Sequence, residues 1–297
     1  MNQDHVLELN TITVRFGDAE ILHDINLYVT HGEILGILGA NGAGKSTMLR
    51  CMMGLIEPER GGMVRVFGVD LARPEAMQLR QRIGFVPDPD GLDPRLQALR
   101  HLDELAALSG IAPHDRAEIC DALELRPSDL RRRIGQLSRG TRQKVALVQG
   151  LQHRPDLVVL DEPSDGLDPF ARQGLMHVLV KARQRGAGIV FSSHVLSDVE
   201  TLCDRVAMLR TGHLLTVARL AELRQQLARQ VMLITSSNQT LTMPTSASDI
   251  EQHDNEWRFV WHGEVAPLLA WLAHQPIQDV TITPPTLANV FDALSKR

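Results

Sequence analysis

The chain has few cysteines, no excess of positive charge and no long apolar run, and each of these absences excludes a class of protein. Its three cysteines are odd in number and share no metal-like spacing, which favours reduced thiols in the cytosol over a disulfide framework. The formal net charge of −5 gives no support for a nucleic-acid partner. No apolar run reaches about 18 residues, the length that a membrane span needs, and the amino terminus lacks the pattern of a signal peptide. We therefore expect a soluble protein.

The residues that are present describe an ordinary globular chain. The 297 residues are 43% hydrophobic and 23% charged, and they suffice for one large domain and a smaller one. The twelve histidines are scattered and form no helix-spaced pair, so they do not predict a metal site. The alternation of apolar residues over 12–16 and 25–29 predicts two half-buried strands joined by a Gly-Asp turn. The run EILGILG predicts a strand buried on both faces, and the pattern turns helical from Ser46.

The rest of the chain divides into segments that differ in composition and hydrophobic pattern. Residues 89–153 show helical spacing broken by Pro and Gly, which predicts a helical insertion. The runs PDLVVLDEP and GAGIVFSSH predict buried parallel strands with a helix between them, a βαβ unit of an α/β fold. After a polar, turn-rich stretch come WRFVWH, a helix in VAPLLAWLAH, DVTIT and a last helix in TLANVFDAL. We expect a large domain over 1–222 and a small α+β domain over 223–297.

One short stretch predicts a phosphate-binding loop. It matches G-x-x-x-x-G-K-[ST] between a buried strand and a helix, the context that this pattern requires. Its residues are Gly39, Asn41, Gly42, Ala43, Gly44, Lys45, Ser46 and Thr47. Glycines let successive backbone N–H groups face an anion, and the helix adds its positive end. Lys45 supplies charge for the outer phosphates, and the Ser46 hydroxyl is a ligand for Mg²⁺.

Two acids follow the strand LVVL. They predict catalytic residues at the edge of the sheet, next to the phosphate-binding loop. Open α/β sheets bind ligands at the carboxyl ends of their strands. Asp161 is suited to hold Mg²⁺ through water, and Glu162 to orient or deprotonate an attacking water. The alternative is a pair of solvated acids at a strand end.

The stretch LSRGTRQKVAL at 137–147 completes a set of four motifs that resembles an ATP-binding cassette (ABC) ATPase. The other three are the loop Gly39–Thr47, VVLDEPSDGLD and SSH, in the order and approximate spacing of that family. The resemblance covers roughly residues 5–220. It implies a P-loop NTPase core with a parallel sheet, an amino-terminal antiparallel β subdomain and a helical insertion, and it implies hydrolysis of Mg-ATP.

The resemblance also implies roles for single residues. Phe16 would stack on adenine, although a core strand residue is the alternative. Ser138 and Gly140 would touch the γ-phosphate of an ATP held by a second subunit. Asp168 would contact that subunit, unless it is simply a turn acid before proline. His194 would sense the γ-phosphate, although a lone histidine at a strand end is more often structural.

Two motifs depart from the family's pattern. Asp88 stands where the family usually has a glutamine that binds Mg²⁺ and reports the state of the nucleotide to the transport subunit; aspartate is also a Mg²⁺ ligand, but it is shorter and charged. In the signature, Arg139 replaces the first glycine and Thr141 replaces the glutamine. Ser138 and Gly140 remain, as do Lys45 and the two acids.

The resemblance implies an ATPase subunit that dimerises head to tail around two Mg-ATP and drives a separate transmembrane permease from the cytoplasmic face of the membrane. The tail ITPPTLANVFDALSKR resembles that of exporter-type cassettes, which favours export. An importer subunit and a soluble mechanical ATPase are the alternatives, although the latter class typically shows tandem cassettes or a long coiled-coil insertion. An ATP-regulated binding module without turnover is a further alternative, disfavoured by Glu162 and His194.

Overall fold

The computed structural model describes residues 5–226, 229–236 and 241–283 of the chain. Contacts within the chain divide it into two compact units, Met1–Val217 and Ala218–Arg297. Among the described residues, no helix has both the length and the apolar character that crossing a membrane requires.

The first unit opens with an antiparallel sheet in the strand order β2-β1-β4-β5. Its strands are β1 (His5–Phe16), β2 (Ala19–Thr30), β4 (Met63–Val66) and β5 (Val69–Asp70). The turn between the first two strands falls at the predicted Gly-Asp pair, where Gly17 adopts a φ of +59° that favours glycine. Ile12 and Val14 of β1 and alternate residues over 25–29 of β2 are buried, as the period of two in the sequence predicts, whereas Phe16 at the end of β1 is exposed.

A six-stranded sheet forms the centre of this unit, in the order β10-β9-β3-β8-β7-β6. Its strands are β3 (Ile34–Leu38), β6 (Ile83–Val86), β7 (Leu157–Leu160), β8 (Gly188–Ser193), β9 (Arg205–Arg210) and β10 (His213–Arg219). The pairs β3–β8, β3–β9, β6–β7 and β7–β8 are parallel. Every residue of β3, β7 and β8 is buried, because both faces of a parallel sheet are covered. The carboxyl ends of these three neighbouring strands therefore meet at one edge.

Helices cover the sheet and fill the segment between β6 and β7. They are α1 (Lys45–Met52), α2 (Ala98–Ser109), α3 (Arg116–Ala122), α4 (Pro127–Leu130), α5 (Arg139–Leu151), α6 (Pro169–Gln184) and α7 (Leu196–Leu202). Helices α2 to α5 lie in the predicted helical insertion, and α6 connects β7 to β8 as the βαβ prediction requires. The predicted fold class, a P-loop α/β core with an antiparallel subdomain and a helical insertion, is confirmed.

The second unit holds a four-stranded antiparallel sheet in the order β12-β13-β11-β14. Its elements are α8 (Leu220–Gln226), β11 (Arg229–Thr235), β12 (Ala247–His253), β13 (Glu256–Trp261), α9 (Val265–Leu272) and β14 (Ile277–Thr283). Leu268 and Leu272 of α9 share a core with Trp257, Phe259 and Trp261. The sequence analysis did not identify β11 and β12. The predicted last helix lies outside the described residues, as does the exporter-like tail after its first two residues, Ile282 and Thr283, which end β14.

One close backbone approach fixes the packing of α6 on α3 and gives a stability prediction. A Cβ placed on Gly174 of α6 would lie 1.8 Å from the carbonyl oxygen of Ala122. Gly174→Ala should therefore lower the free energy of unfolding by about 2 kcal/mol, because the overpacking outweighs the gain in helix propensity. Urea denaturation measures the change.

Gly91→Ala is the matched control, because a Cβ at Gly91 meets no atom within 4 Å and its φ is not positive. We expect that control to unfold within about 0.5 kcal/mol of the wild type. Equal stability of the Gly174 and Gly91 variants would show that α6 and α3 do not approach as closely as described.

Candidate active site

The phosphate loop occupies the turn between β3 and α1, where the sequence placed it. Gly42 and Gly44 adopt φ angles of +80° and +103°, a region that side chains with a Cβ rarely enter. A Cβ on Gly44 would also press against the backbone oxygen of Ile21 at 3.1 Å. These two glycines therefore allow the chain to turn directly from a buried strand into a helix whose first N–H groups are free for an anion.

Lys45, the first residue of α1, is the charged centre of this loop. Its side chain is 6% exposed, and its ammonium donates to the carbonyl oxygens of Gly39 at 2.7 Å and Ala40 at 3.4 Å. The ammonium also lies 3.3 Å from Oε1 of Glu162. A buried charge is costly unless it is paired and hydrogen-bonded, and the loop carbonyls with this carboxylate meet that requirement.

The two acids after β7 are held in place by the neighbouring strand β8. The hydroxyl of Ser192 donates to Oδ1 of Asp161 at 2.7 Å and accepts from the backbone N–H of Glu162 at 2.9 Å. Glu162 has a φ of +46°, a strained conformation for a residue with a side chain, of the kind that clusters at active sites. The sequence analysis assigned no role to Ser192, although its place in the buried run SSH on an adjacent parallel strand was an available signal.

His194 follows β8 and contacts the same carboxylate. Its Nδ1 lies 2.8 Å from Oε2 of Glu162, and its backbone N–H donates to that oxygen at 3.2 Å. One oxygen of Glu162 thus faces Lys45 and the other faces His194, which places all three predicted catalytic side chains in one chain of contacts.

An open crevice of about 430 Å³ is lined by two members of this chain of contacts, Lys45 and Glu162, whereas His194 and Asp161 are outside its described lining. Phe16 lines it together with the loop residues and Glu162, and the Phe16 side chain is 54% exposed. That exposure excludes the alternative of a core strand residue. Ile21 of β2 also lines the crevice, and nothing in its sequence pattern distinguishes it from other strand residues.

The predicted signature residues lie in a second group, outside the described lining of the crevice. Ser138 caps the amino terminus of α5, where its hydroxyl accepts from the N–H of Thr141 at 3.2 Å. Gly140 is pressed against the loop after Glu162, since a Cβ there would lie 2.3 Å from the carbonyl oxygen of Gly166. Asp168 caps α6 through the N–H of Ala171 at 2.9 Å.

Charged pairs join this second group internally, and the sequence analysis did not identify them. Arg139 donates to Asp165 at 2.9 Å, and Lys144 donates to Asp168 at 3.0 Å. Arg142 donates at 2.9 Å to Asp90. These pairs join residues far apart in the sequence, so neighbouring residues gave no signal of them.

Asp88 lies on the exposed turn after β6 and is not among the residues that line the crevice. Its carboxylate accepts from the backbone N–H of Asp90 at 3.0 Å and so caps the short turn Pro89–Gly91. The structure thus gives Asp88 a local contact, and its part in holding Mg²⁺ stays a prediction.

Comparisons with known proteins agree with this arrangement. Residues 22–165 match the family model described as ABC transporter. The ABC transporter ATP-binding protein NatA of Bacillus subtilis (strain 168) is 34% identical over 71% of this chain and 88% of its own. The Nod factor export ATP-binding protein I of Burkholderia orbicola (strain AU 1054) is 33% identical, over 69% of this chain and 68% of its own length. A solved ATP-binding cassette, a dimer in a post-hydrolysis state with ADP and Pi, is 26% identical and has a TM-score of 0.65, with 72% of this chain and 98% of that chain covered.

The contacts of Asp168 predict a pH-dependent stability. The N–H of Ala171 and then the ammonium of Lys144 hold the pKa of the Asp168 carboxyl below its usual range. Asp168→Ala should lower the free energy of unfolding by about 1 kcal/mol near neutral pH, because α6 loses its cap. Asp168→Asn keeps a capping oxygen and should lose less than about 0.5 kcal/mol, since the ion pair is exposed.

The sign of the pH effect follows from the lowered pKa. The carboxylate stabilises the fold above the unfolded pKa of about 4, and this contribution is lost as the pH falls through the lower folded pKa. Urea denaturation at a series of pH values should show the wild type and Asp168→Asn converging in acid. A difference that grows as the pH falls would contradict these contacts.

Proposed function

This chain belongs to the ABC transporter ATP-binding proteins, and from that premise we propose that it is the ATP-hydrolysing subunit of a membrane exporter. The observation that carries the catalytic part is the contact of Glu162 with both Lys45 and His194.

ATP fits the crevice with its base and its phosphates at opposite ends. The exposed ring of Phe16 offers a face on which adenine stacks. The triphosphate lies along the free N–H groups of the loop and the amino terminus of α1, where the helix dipole favours negative charge. The ammonium of Lys45 already points along this loop, so a phosphate oxygen replaces a carbonyl partner with little rearrangement.

Ser46 and Asp161 fit Mg²⁺ by the chemistry of their donors, since a hydroxyl and a carboxylate are the hard oxygen ligands that this ion prefers. Among the residues that the structure describes, no group of three or more His, Cys, Asp or Glu side chains could hold a metal ion. Ser46 and Asp161 would therefore share the ion with phosphate oxygens and water. When bound, Mg²⁺ neutralises negative charge on the phosphates.

Glu162 is the proposed base for the attacking water. His194 holds one of its oxygens at 2.8 Å, which fixes the direction of the carboxylate. A positioned general base contributes about 100-fold or more to such a reaction. His194 is 55% exposed and would meet the γ-phosphate on the open side of the crevice.

A second copy of the chain is proposed to complete the site. Ser138 and Gly140 lie outside the crevice of their own chain, where the free N–H groups at the start of α5 are open to an anion. Two chains placed head to tail would give each ATP a loop from one copy and this helix start from the other. The similar solved cassette is a dimer. ATP would then hold the two copies together, and hydrolysis would release them.

Export is the proposed direction, and a separate permease on the cytoplasmic face of the membrane is the proposed partner. A relative of 33% identity is named for the export of Nod factor. A second groove of about 380 Å³, lined largely by apolar residues, offers a place for a permease segment. Leu55 and Met77 line it and are 56% and 68% exposed, while Arg73 and Arg80 at the groove favour a segment that carries acidic residues.

Strand β6 connects this groove to the acids after β7. Phe85 of this strand lines the groove, the N–H of Asp161 donates to the carbonyl of Val86 at 3.1 Å, and Asp88 lies two residues after the strand. Asp88 is proposed to report the state of the nucleotide to the permease segment.

Glu162→Gln tests the catalytic part. We expect ATP to bind, hydrolysis to slow by at least about 100-fold, and a dimer to accumulate in ATP, because the amide cannot accept the proton from water. ATPase assays and light scattering after size exclusion measure these effects.

Glu118→Gln is the control, because it removes an exposed carboxylate of α3 that is paired with Lys181 and does not line the crevice. It should behave as the wild type. Wild-type turnover by Glu162→Gln, or a variant that stays monomeric in ATP, would contradict the proposed roles.

Met77→Glu tests the partner. A negative charge in the groove should repel an acidic segment and reduce the amount of a multispan membrane protein that copurifies from detergent extracts, with ATP binding unchanged. Leu108→Glu is the control, since Leu108 is 81% exposed on α2 and does not line the groove. Equal recovery with both variants would exclude the groove as the docking site.

A further inference from the structure

The segments that follow Glu162 and His194 also contact each other through a buried carboxylate, in addition to the contact between Glu162 and His194 themselves. Asp198 lies in α7, four residues after His194, and is 3% exposed. None of the proposed catalytic roles uses it. A carboxylate buried to this degree is costly unless strong partners satisfy both oxygens.

Both oxygens of Asp198 have such partners, and the partners come from the other loop and the helix that follows it. The hydroxyl of Ser164, two residues after Glu162, donates to Oδ2 at 2.6 Å. Nε of Arg172, in the first turns of α6, donates to Oδ1 at 2.6 Å. Arg172 also donates to the hydroxyl of Ser197 at 3.0 Å. The carboxylate thus joins α7 to both ends of the segment between Glu162 and α6.

That segment needs an external support. Glu162 holds a strained φ of +46°, and the loop after it is closed by turn contacts, such as Asp165 N–H to the carbonyl of Glu162 at 3.1 Å and Leu167 N–H to the carbonyl of Ser164 at 3.2 Å. From α5, Gln143 donates to the carbonyl of Pro163 at 3.1 Å and Arg139 donates to Asp165 at 2.9 Å. Strained backbone persists only where its surroundings over-determine it. The contact of His194 with Glu162 is exposed and orients the side chain, so it supplies little of the constraint on the backbone.

We propose that Asp198 is a positioning residue for ATP hydrolysis, which clamps Ser164 and Arg172 so that the Glu162 carboxylate stays within reach of His194. The inference rests on the proposed function of Glu162 as the base. Asp198 itself does not contact ATP. It acts through the loop on the rate of the chemical step and not on the affinity for the nucleotide. A small displacement of a catalytic group is enough to slow a reaction strongly.

Asp115 provides a matched control for a buried carboxylate that is only structural. It is 4% exposed, and Arg154 and Arg185 contact its two oxygens at 2.6 and 3.2 Å. It directly precedes α3, which carries none of the predicted site residues. Asp115→Asn and Asp198→Asn therefore remove the same charge from equally buried ion pairs.

The kinetic test compares these two variants. We expect Asp198→Asn to lower kcat by about tenfold to a hundredfold, with KM for ATP within about twofold of the wild type. Asp115→Asn should lower the melting temperature by a similar amount and leave kcat near the wild-type value. Equal kcat values for the two variants, or a loss of ATP affinity in Asp198→Asn that accounts for its lower rate, would overturn the inference.

Hydrogen exchange provides a readout that does not depend on turnover. Peptides covering 161–169 should exchange faster in Asp198→Asn than in Asp115→Asn, and unchanged exchange there would also overturn the inference. Absence of ATP hydrolysis in the wild type would instead refute the proposed function, while the exchange comparison would still decide whether Asp198 clamps the loop. Ser164→Ala, which leaves the ion pair intact, should show the same two effects to a smaller degree, and it serves if Asp198→Asn does not fold.

Discussion

The site depends on one interaction, the buried ammonium of Lys45 held between the carbonyl oxygens of its own loop and the carboxylate of Glu162. A cation at this depth needs a full set of partners, and the chain meets that need with residues from two different strand ends. The left-handed glycines, the entry into α1 and the strained Glu162 all serve the same geometry. The same set of groups is what a triphosphate requires, because it offers oxygens in place of the carbonyls and negative charge to the helix terminus.

The parallel sheet explains why these groups meet. Strands β3, β7 and β8 are neighbours, and their carboxyl ends carry Lys45, Glu162 and His194 respectively. The groups around Ser138 and Asp168 belong to another surface, tied together by Lys144 and by the close approach of Gly140 to Gly166. Within one chain these two sets of residues lie apart, whereas the family resemblance implies that both contact the same ATP. The proposed dimer has its physical reason here, because a second copy of the chain would bring the two sets together.

The sequence alone predicted the parts of the site that depend on consecutive residues. The phosphate loop is one uninterrupted stretch in which each residue type has a local reason, and the buried strands were visible as continuous apolar runs. Contacts between distant residues were not predictable: nothing near Ser192 or Asp198 in the sequence shows that one orients Asp161 and the other meets Arg172. The exposure of Phe16 was equally hidden, because a core strand and a crevice edge share the same alternation. Strand β12 was missed since its polar residues resemble a turn-rich linker.

Calorimetric titration of Mg-ATP into the wild type and into Lys45→Ala tests the central claim most directly. The account predicts one nucleotide bound per chain, with affinity lost by at least about tenfold, or 1.4 kcal/mol, when the ammonium is removed. Equal binding by the two proteins, or no heat of binding in the wild type, would show that the crevice around Lys45 is not a triphosphate site.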